Sequence, residues 1–359
     1  MKKFKVLHVV VAKIWGGGEQ YVYDICKEMQ RQGHTIFIAV DKTNCMFQQR
    51  YAEVATVLPV NLYFVAGLFA VNELKNIIAS ESIDVINCHS GHGVLLCLLL
   101  KFLSGKKLVL FKHNALLAKN DIYHVWLREN VDANICVSKL VLSLQTQGLK
   151  ESEKKKFHLV YNGIDLTNFN KYQNLHKDSQ EFIIGYAGRL APNKGMDILL
   201  MAFALLHKKH SNTRLKIVGA NENRYLEQIN VLIRDLDLQN VVEYGGIEKD
   251  MEKFYKSLDV FVLPSIVKEA FGLVLCEAMY CGVPVVTTNS GAQEEIIENG
   301  KDGIIVSPGD INDLYKGLDL IYSDNEKRMK LAEMAKNKVE SKFNIIDCAN
   351  RLIKITHVN

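Results

Sequence analysis

The chain has 359 residues, 48% of them hydrophobic, a formal net charge of +4 and eight cysteines. That length and apolar content suffice for two globular cores and exclude a disordered chain. So small a net charge argues against a nucleic-acid binder held by bulk positive charge. The charge is uneven, however: residues 1–165 carry 20 Lys and Arg against 14 Asp and Glu, and the remainder 24 against 26. A basic first half fits a surface that meets an anionic membrane or a phosphorylated acceptor, and a scattered solvated surface accounts for it as well.

The opening MKKFKVLHVVVA has the basic start and apolar run of a signal peptide, but Lys5, His8 and Lys13 interrupt it, and a first β-strand is predicted. The longest apolar run elsewhere, Gly93 to Leu103, is far short of the roughly 20 residues that span a bilayer. Any membrane association is therefore expected to be peripheral. The cysteines form no CxxC pair and several lie in strand-like runs such as DVINCH and ANICVS. Buried, reduced thiols and a cytoplasmic protein, with membrane contact at the inner face, are the expectation.

KFKVLHVV, HTIFIAV, DVINCH, KLVLFKH, ANICVS and FHLVYNG read as strands separated by helical periods, for instance Val22, Ile25, Cys26 and Met29 before Gly33. Such βα repetition predicts a parallel sheet. A polar stretch from Leu166 to Glu181 breaks the pattern, which restarts with FIIGYAGR, RLKIVGA, VVEYGG, DVFVLPS, VPVVTT and GIIVSP. The expected organisation is a first Rossmann-like domain over 1–165, a linker over 166–181, a second over 182–340, and a C-terminal helix over 341–359 crossing back to the first. Open parallel sheets bind ligands at the carboxyl ends of their strands, so the motifs should lie there, toward a shared cleft.

Three glycines, Gly16, Gly17 and Gly18, follow the first strand and precede the first helix. They let backbone approach a ligand while the helix N-terminus offers N–H groups to a phosphate; a tight turn alone would use the same residues. The dinucleotide pattern GxGxxG is absent, which disfavours a nicotinamide enzyme. Arg189 and Lys194, in GRLAPNK, can converge on one diphosphate as a fork and a point charge, or can be two solvated cations. Glu269 precedes, and Glu277 lies within, a helix expected to start near Gly272 and to be closed by Gly282. Their separation, up to about 12 Å on a helical rise, is too wide for a paired acid and base. It suits two ends of an elongated ligand, with the amides of Phe271, Gly272 and Leu273 facing a phosphate between them. A loop acid beside a partly exposed helix acid is the simpler alternative. Asp235 and Asp237 match D-x-D, but at the end of a helical run they read as solvated, and no bound metal is expected.

In this order GGGE, GRLAPNKG, PSIVKEAFGLVLCEAMYCGVPVV and SGAQEEIIENGKDGIIV resemble the retaining GT-B glycosyltransferases of family 4, over nearly the whole chain. The resemblance implies transfer of a sugar from a nucleotide-diphosphate sugar, a UDP-sugar before a GDP-sugar, without another cofactor. Two Rossmann-like domains would face a central cleft, the first binding a carbohydrate or lipid-linked acceptor. Arg189 and Lys194 would hold the diphosphate, Glu269 the donor sugar, Glu277 the ribose, and backbone near Ile247 the base. The glycine loop would approach the diphosphate from the first domain. A family histidine close to the donor sugar matches His113, which could equally cap a strand; His89 and His92 face the same way, as acceptor contacts or as ordinary polar residues. The basic first half points to a bacterial cell-surface polysaccharide or lipid-linked oligosaccharide as the acceptor. A sugar-nucleotide epimerase or phosphorylase of the same architecture, or a non-catalytic sugar-nucleotide-binding subunit, are the alternatives.

Overall fold

A computed structural model describes residues 3–62, 67–89, 91–172, 181–222 and 224–357. The chain divides into two compact units, 1–163 with 345–359, and 164–344. In the first, β1 (Lys5–Val9) leads through α1 (Gly17–Arg31) to β2 (Thr35–Asp41), α2 (Cys45–Tyr51), β3 (Thr56–Val60) and α3 (Gly67–Ser80). There follow β4 (Val85–Cys88), α4 (Val94–Ser104), β5 (Lys107–Lys112), α5 (Ile122–Asn130), β6 (Ala133–Cys136), α6 (Lys139–Thr146), α7 (Glu151–Lys154) and β7 (Phe157–Leu159). The seven strands are all parallel, in the order β3-β2-β1-β4-β5-β6-β7. Their near-continuous apolar runs follow from burial on both faces, since helices cover a parallel sheet on either side.

The second unit runs β8 (Phe182–Ala187), α8 (Met196–Lys209), β9 (Thr213–Val218), α9 (Tyr225–Asp235), β10 (Val242–Tyr244), α10 (Met251–Lys256), β11 (Val260–Leu263), α11 (Leu273–Tyr280), β12 (Val285–Thr288), α12 (Gln293–Ile296), β13 (Ile304–Val306), α13 (Ile311–Ser323) and α14 (Asn325–Lys342). Its parallel sheet has the order β10-β9-β8-β11-β12-β13. Each sheet reverses its winding once, between β1 and β4 and between β8 and β11. The loops leaving those strands define the crevice where such sheets take ligands. α15 (Ile345–His357) belongs to the first unit, packed on α1, where the Tyr21 hydroxyl lies 3.4 Å from Cys348 Sγ.

Three sequence expectations are corrected. β3 was not among the strands read from the sequence: it is a half-exposed edge strand containing Pro59, and edges are where a strand tolerates proline. The stretch read as a linker over 166–181 starts on the body of the second unit. Phe169 is buried beside Tyr255 and Tyr280, and the amides of Lys171 and Tyr172 donate to the buried Glu252 carboxylate at 2.9 and 3.1 Å. Its polarity serves Glu252 as well as water; residues 173–180 of that stretch lie outside the described residues. The final helix begins at Ile345 rather than 341, because α14 continues the second unit as far as Lys342.

Candidate active site

In the second unit, β8 ends at Ala187 and releases the loop that carries Arg189 and Lys194, while β11 ends at Leu263 and releases the loop that carries Glu269. The two loops touch: the Ile266 amide donates to the Asn193 carbonyl at 3.3 Å. Lys194 Nζ stands 2.5 Å from Glu269 Oε1, and both side chains are largely shielded from solvent. Ser265 Oγ, fully buried, donates to the same carboxylate oxygen. Ser265 is itself pinned, since Thr288 Oγ1 donates to its carbonyl at 2.6 Å. Gly291 packs directly against the Glu269 backbone: a Cβ there would sit 2.4 Å from the Glu269 amide nitrogen and carbonyl oxygen, and the Ala292 amide donates to that carbonyl at 2.9 Å.

Arg189 is half exposed and meets Glu222 at 3.2 Å, a partner for which no sequence motif gave a signal. Its loop is braced by the buried Tyr186 hydroxyl, which donates to the Arg189 carbonyl at 3.0 Å. Burial first, then the Glu269 charge, push the Tyr186 hydroxyl well above its ordinary pKa, while Arg189 pulls the other way. One hydroxyl thus senses both groups.

α11 starts at Leu273, with Gly272 at its N-cap in the left-handed region (φ 117°), where a side chain would be strained. Its leading amides have no intrahelical acceptors, so the helix presents partial positive charge close to Glu269 in sequence. The Phe271 ring is buried and packs edge-on against Phe343 at 5.6 Å. Glu277 sits one turn into α11, half-buried, with Oε2 accepting from Tyr255 Oη at 2.7 Å and no partner for Oε1 among the described residues. Burial raises its pKa against the opposing effect of that hydrogen bond. Gly282 has φ 76° beyond the helix end, as its spacing predicted. Ile247 is 75% exposed in the loop after β10. Asp235 closes α9 in solvent and Asp237 lies in the turn beyond it, and no metal-ligand cluster occurs among the described residues.

In the first unit, the glycine loop follows β1. Gly16 is the N-cap of α1, and its amide donates to Glu19 Oε2 at 3.0 Å; Gly18 lies against His113, whose Cγ would be 4.0 Å from an added Cβ. His113 follows β5 and is the outer member of a row of three. His8 Nδ1 is 2.8 Å from His89 Nε2, and His89 Nδ1 is 3.1 Å from His113 Nε2. The rings are stacked, at 5.1 and 5.4 Å between centroids, with Phe111 against His89 at 4.2 Å. Burial lowers the pKa of His8 to about 3, that of His113 to about 4, and that of His89 well below its ordinary value. The nitrogens bond in series and do not converge on a point, as metal ligands would. His8 was missed in the sequence because it reads as one more strand residue. His92 is exposed.

Two family models divide the chain between them, Glycosyltransferase Family 4 over residues 15–168 and Glycosyl transferases group 1 over residues 168–338. The chain belongs to the family 4 glycosyltransferases. The chain is 31% identical over 190 residues to the capsular polysaccharide biosynthesis glycosyltransferase CapM of Staphylococcus aureus, a match covering 53% of the chain and 48% of that relative. It is 29% identical over 289 residues to an uncharacterized glycosyltransferase of Methanocaldococcus jannaschii, covering 78% and 77%. The chain thus spans about half the length of the first relative and about three quarters of the second. Among solved structures, a glycosyltransferase from Rickettsia africae matches with a TM-score of 0.89 at 21% identity, covering 99% of this chain and 98% of the other. Anabaena HepE in complex with UDP and glucose matches with 0.83 at 20% identity, covering 98% of both. At such identities these two speak for the fold, GT-B.

Proposed function

We propose that this glycosyltransferase moves a sugar from a nucleotide-diphosphate sugar to a carbohydrate or lipid-linked acceptor, with retention, in the synthesis of a cell-surface polysaccharide or lipid-linked oligosaccharide. The observation that carries the proposal is the Lys194–Glu269 pair, at the carboxyl ends of strands flanking the winding reversal and beside the start of α11. In this reading Arg189, Lys194 and the amides of Phe271, Gly272 and Leu273 take the diphosphate, whose charge they can meet without a divalent ion. Ser265 and Lys194 hold the Glu269 carboxylate in place to accept from sugar hydroxyls. The unpaired Oε1 of Glu277 takes a ribose hydroxyl, and backbone beside Ile247 the base. In the first unit, Gly16, Gly17 and Gly18 are assigned to the diphosphate and His113 to the transferred sugar. UDP is the nucleotide to test first, since HepE, which shares the fold, holds it.

Calorimetric titration with UDP is the test. Arg189→Ala and Lys194→Ala should each weaken binding by tenfold or more, about 1.4 kcal/mol, as expected for a charge-assisted contact. Unchanged affinity in both would overturn the assignment. Release of nucleotide diphosphate that depends on added acceptor separates a transferase from an epimerase or a binding subunit.

The same reading places the enzyme at an anionic membrane surface. Among the described residues no helix is long and apolar enough to cross a membrane. Instead α4 and α5 expose Phe102, Leu103, Ile122, Tyr123 and Trp126, with Phe102 and Tyr123 in ring contact with Trp126 at 6.3 and 6.4 Å. Exposed aromatics on a basic unit fit an interface with charged headgroups. Phosphatidylglycerol vesicles should sediment the protein at low salt and phosphatidylcholine vesicles should not; equal recovery with both would remove the membrane from the proposal.

A further inference from the structure

The row His8–His89–His113 has more order than a contact with substrate needs. Only the outer ring is placed to meet a ligand. The inner two are buried, His8 1% and His89 9% exposed, on β1 and directly after β4. A neutral imidazole carries one N–H and one bare nitrogen, so two hydrogen bonds in series allow two arrangements of three neutral rings. In one, every ring is protonated on Nδ1: His8 donates to His89, His89 donates to His113, and His113 Nδ1–H is left over. In the other, every ring is protonated on Nε2, the bonds run inward, and His113 ends in a bare Nδ1.

What separates them is the inner end. His8 Nε2 is buried and has no partner. In the first arrangement that atom is an unpaired acceptor; in the second it is an unpaired N–H, the rarer and costlier defect in a protein interior. Burial holds all three rings neutral at physiological pH, which leaves these two arrangements. The outer atom, His113 Nδ1, has no partner among the described residues.

We propose that His8 and His89 are positioning residues that fix His113 in its Nδ1–H tautomer, so that it meets the transferred sugar as a hydrogen-bond donor and not as a base. An N–H there suits an oxygen of the sugar, whereas proton removal would need the bare nitrogen that this arrangement places at His8. His113 then acts by orientation and polarisation; as the anomeric carbon leaves the diphosphate oxygen and bonds to the acceptor oxygen, the acceptor proton passes to that diphosphate oxygen. The catalytic part of this inference rests on the reading of His113 given above; the tautomer part does not.

The test has two arms. Long-range proton–nitrogen correlation spectra of the intact protein labelled with [15N]histidine report which ring nitrogen carries the proton. Loss of one signal set in each of His8→Asn, His89→Asn and His113→Asn assigns the three rings among the eleven histidines. All three should show Nδ1–H without any substrate; a dominant Nε2–H form, or an even mixture, at His113 would overturn the proposal whether or not sugar transfer is found. In the second arm, the amide nitrogen of Asn can stand in for a histidine Nδ1–H donor and the Leu side chain cannot. His89→Leu should lower kcat about tenfold, the effect of losing one orienting hydrogen bond, with KM for the nucleotide sugar within about twofold. His89→Asn should recover most of that loss. Equal losses in the two variants would mean that His89 only fills space. Failure of the first arm removes the tautomer; absence of sugar transfer with the first arm intact removes only the substrate reading.

Discussion

Replacing His8 by Leu should flatten the dependence of the first unit's stability on pH. His8 is held near pKa 3 by burial, against 6.5 for an exposed ring. The unfolded chain therefore binds a proton below about pH 6.5 that the folded chain refuses. Stability is complete above that value and is lost as pH falls toward the folded pKa. Between pH 7 and pH 5 a ring held as His8 is removes about 2 kcal/mol, an appreciable share of the 5–15 kcal/mol typical of a domain. No carboxylate is among the groups that perturb these rings: burial dominates at each, and at His89 the neighbouring His8 and His113 act in the same direction. Both tryptophans, Trp15 and Trp126, belong to the first unit, so urea unfolding followed by their fluorescence reports that unit alone. His8→Leu will be less stable at pH 7, because His89 loses a partner. Its further loss on going to pH 5 should nevertheless be about 2 kcal/mol smaller than in the unsubstituted protein. Identical losses would refute the view that His8 is buried neutral.

Glu277→Gln should stabilise the second unit at neutral pH by about 0.5–2 kcal/mol, measured by calorimetry, because burial raises the Glu277 pKa and its stability contribution is lost as pH rises through the folded value. The same change should weaken UDP binding, and a gain in stability without loss of affinity would detach Glu277 from the ribose. Gly291→Ala should cost about 1–3 kcal/mol and much of the turnover by pushing on the Glu269 backbone, and a fully active variant would show that the loop yields freely. Glu269→Gln should retain more activity than Glu269→Ala, with no sugar adduct on the protein by intact mass spectrometry; a stable adduct at Glu269 would replace the positioning role with a nucleophilic one. A chelator should leave transfer nearly intact, and its abolition would refute a diphosphate clamp made of Arg189, Lys194 and helix amides alone.

Much of this molecule is set by short-range pattern. The β-branched runs, the helical spacing of Val22, Ile25, Cys26 and Met29, and the glycines that end helices all act within a few residues of one another. They sufficed for two parallel sheets, for all six strands of the second unit and for the span of α11, bounded by Gly272 and Gly282. The order of Arg189, Lys194, Glu269 and Glu277 sufficed to name the family. The weak local signals were those that depend on distant partners. Pro59 speaks against a strand until β2 is there to pair it from one side, and the polar residues after Leu166 read as a linker until Glu252, about 80 positions on, takes up the amides of Lys171 and Tyr172.

The site's working details belong to the same distant class. Lys194 meets Glu269 across 75 residues, Arg189 meets Glu222 across 33, and His8 meets His89 across 81. Parallel strands need long crossovers, so residues that become neighbours at the carboxyl ends of adjacent strands are always far apart in sequence. A single chain read in order shows each of them as one polar residue at a strand end. Whether two such ends touch, which carboxylate a cation chooses, and whether a histidine is a solvated cap or one ring in a buried series is decided only when strand order puts β1 beside β4 and β8 beside β11.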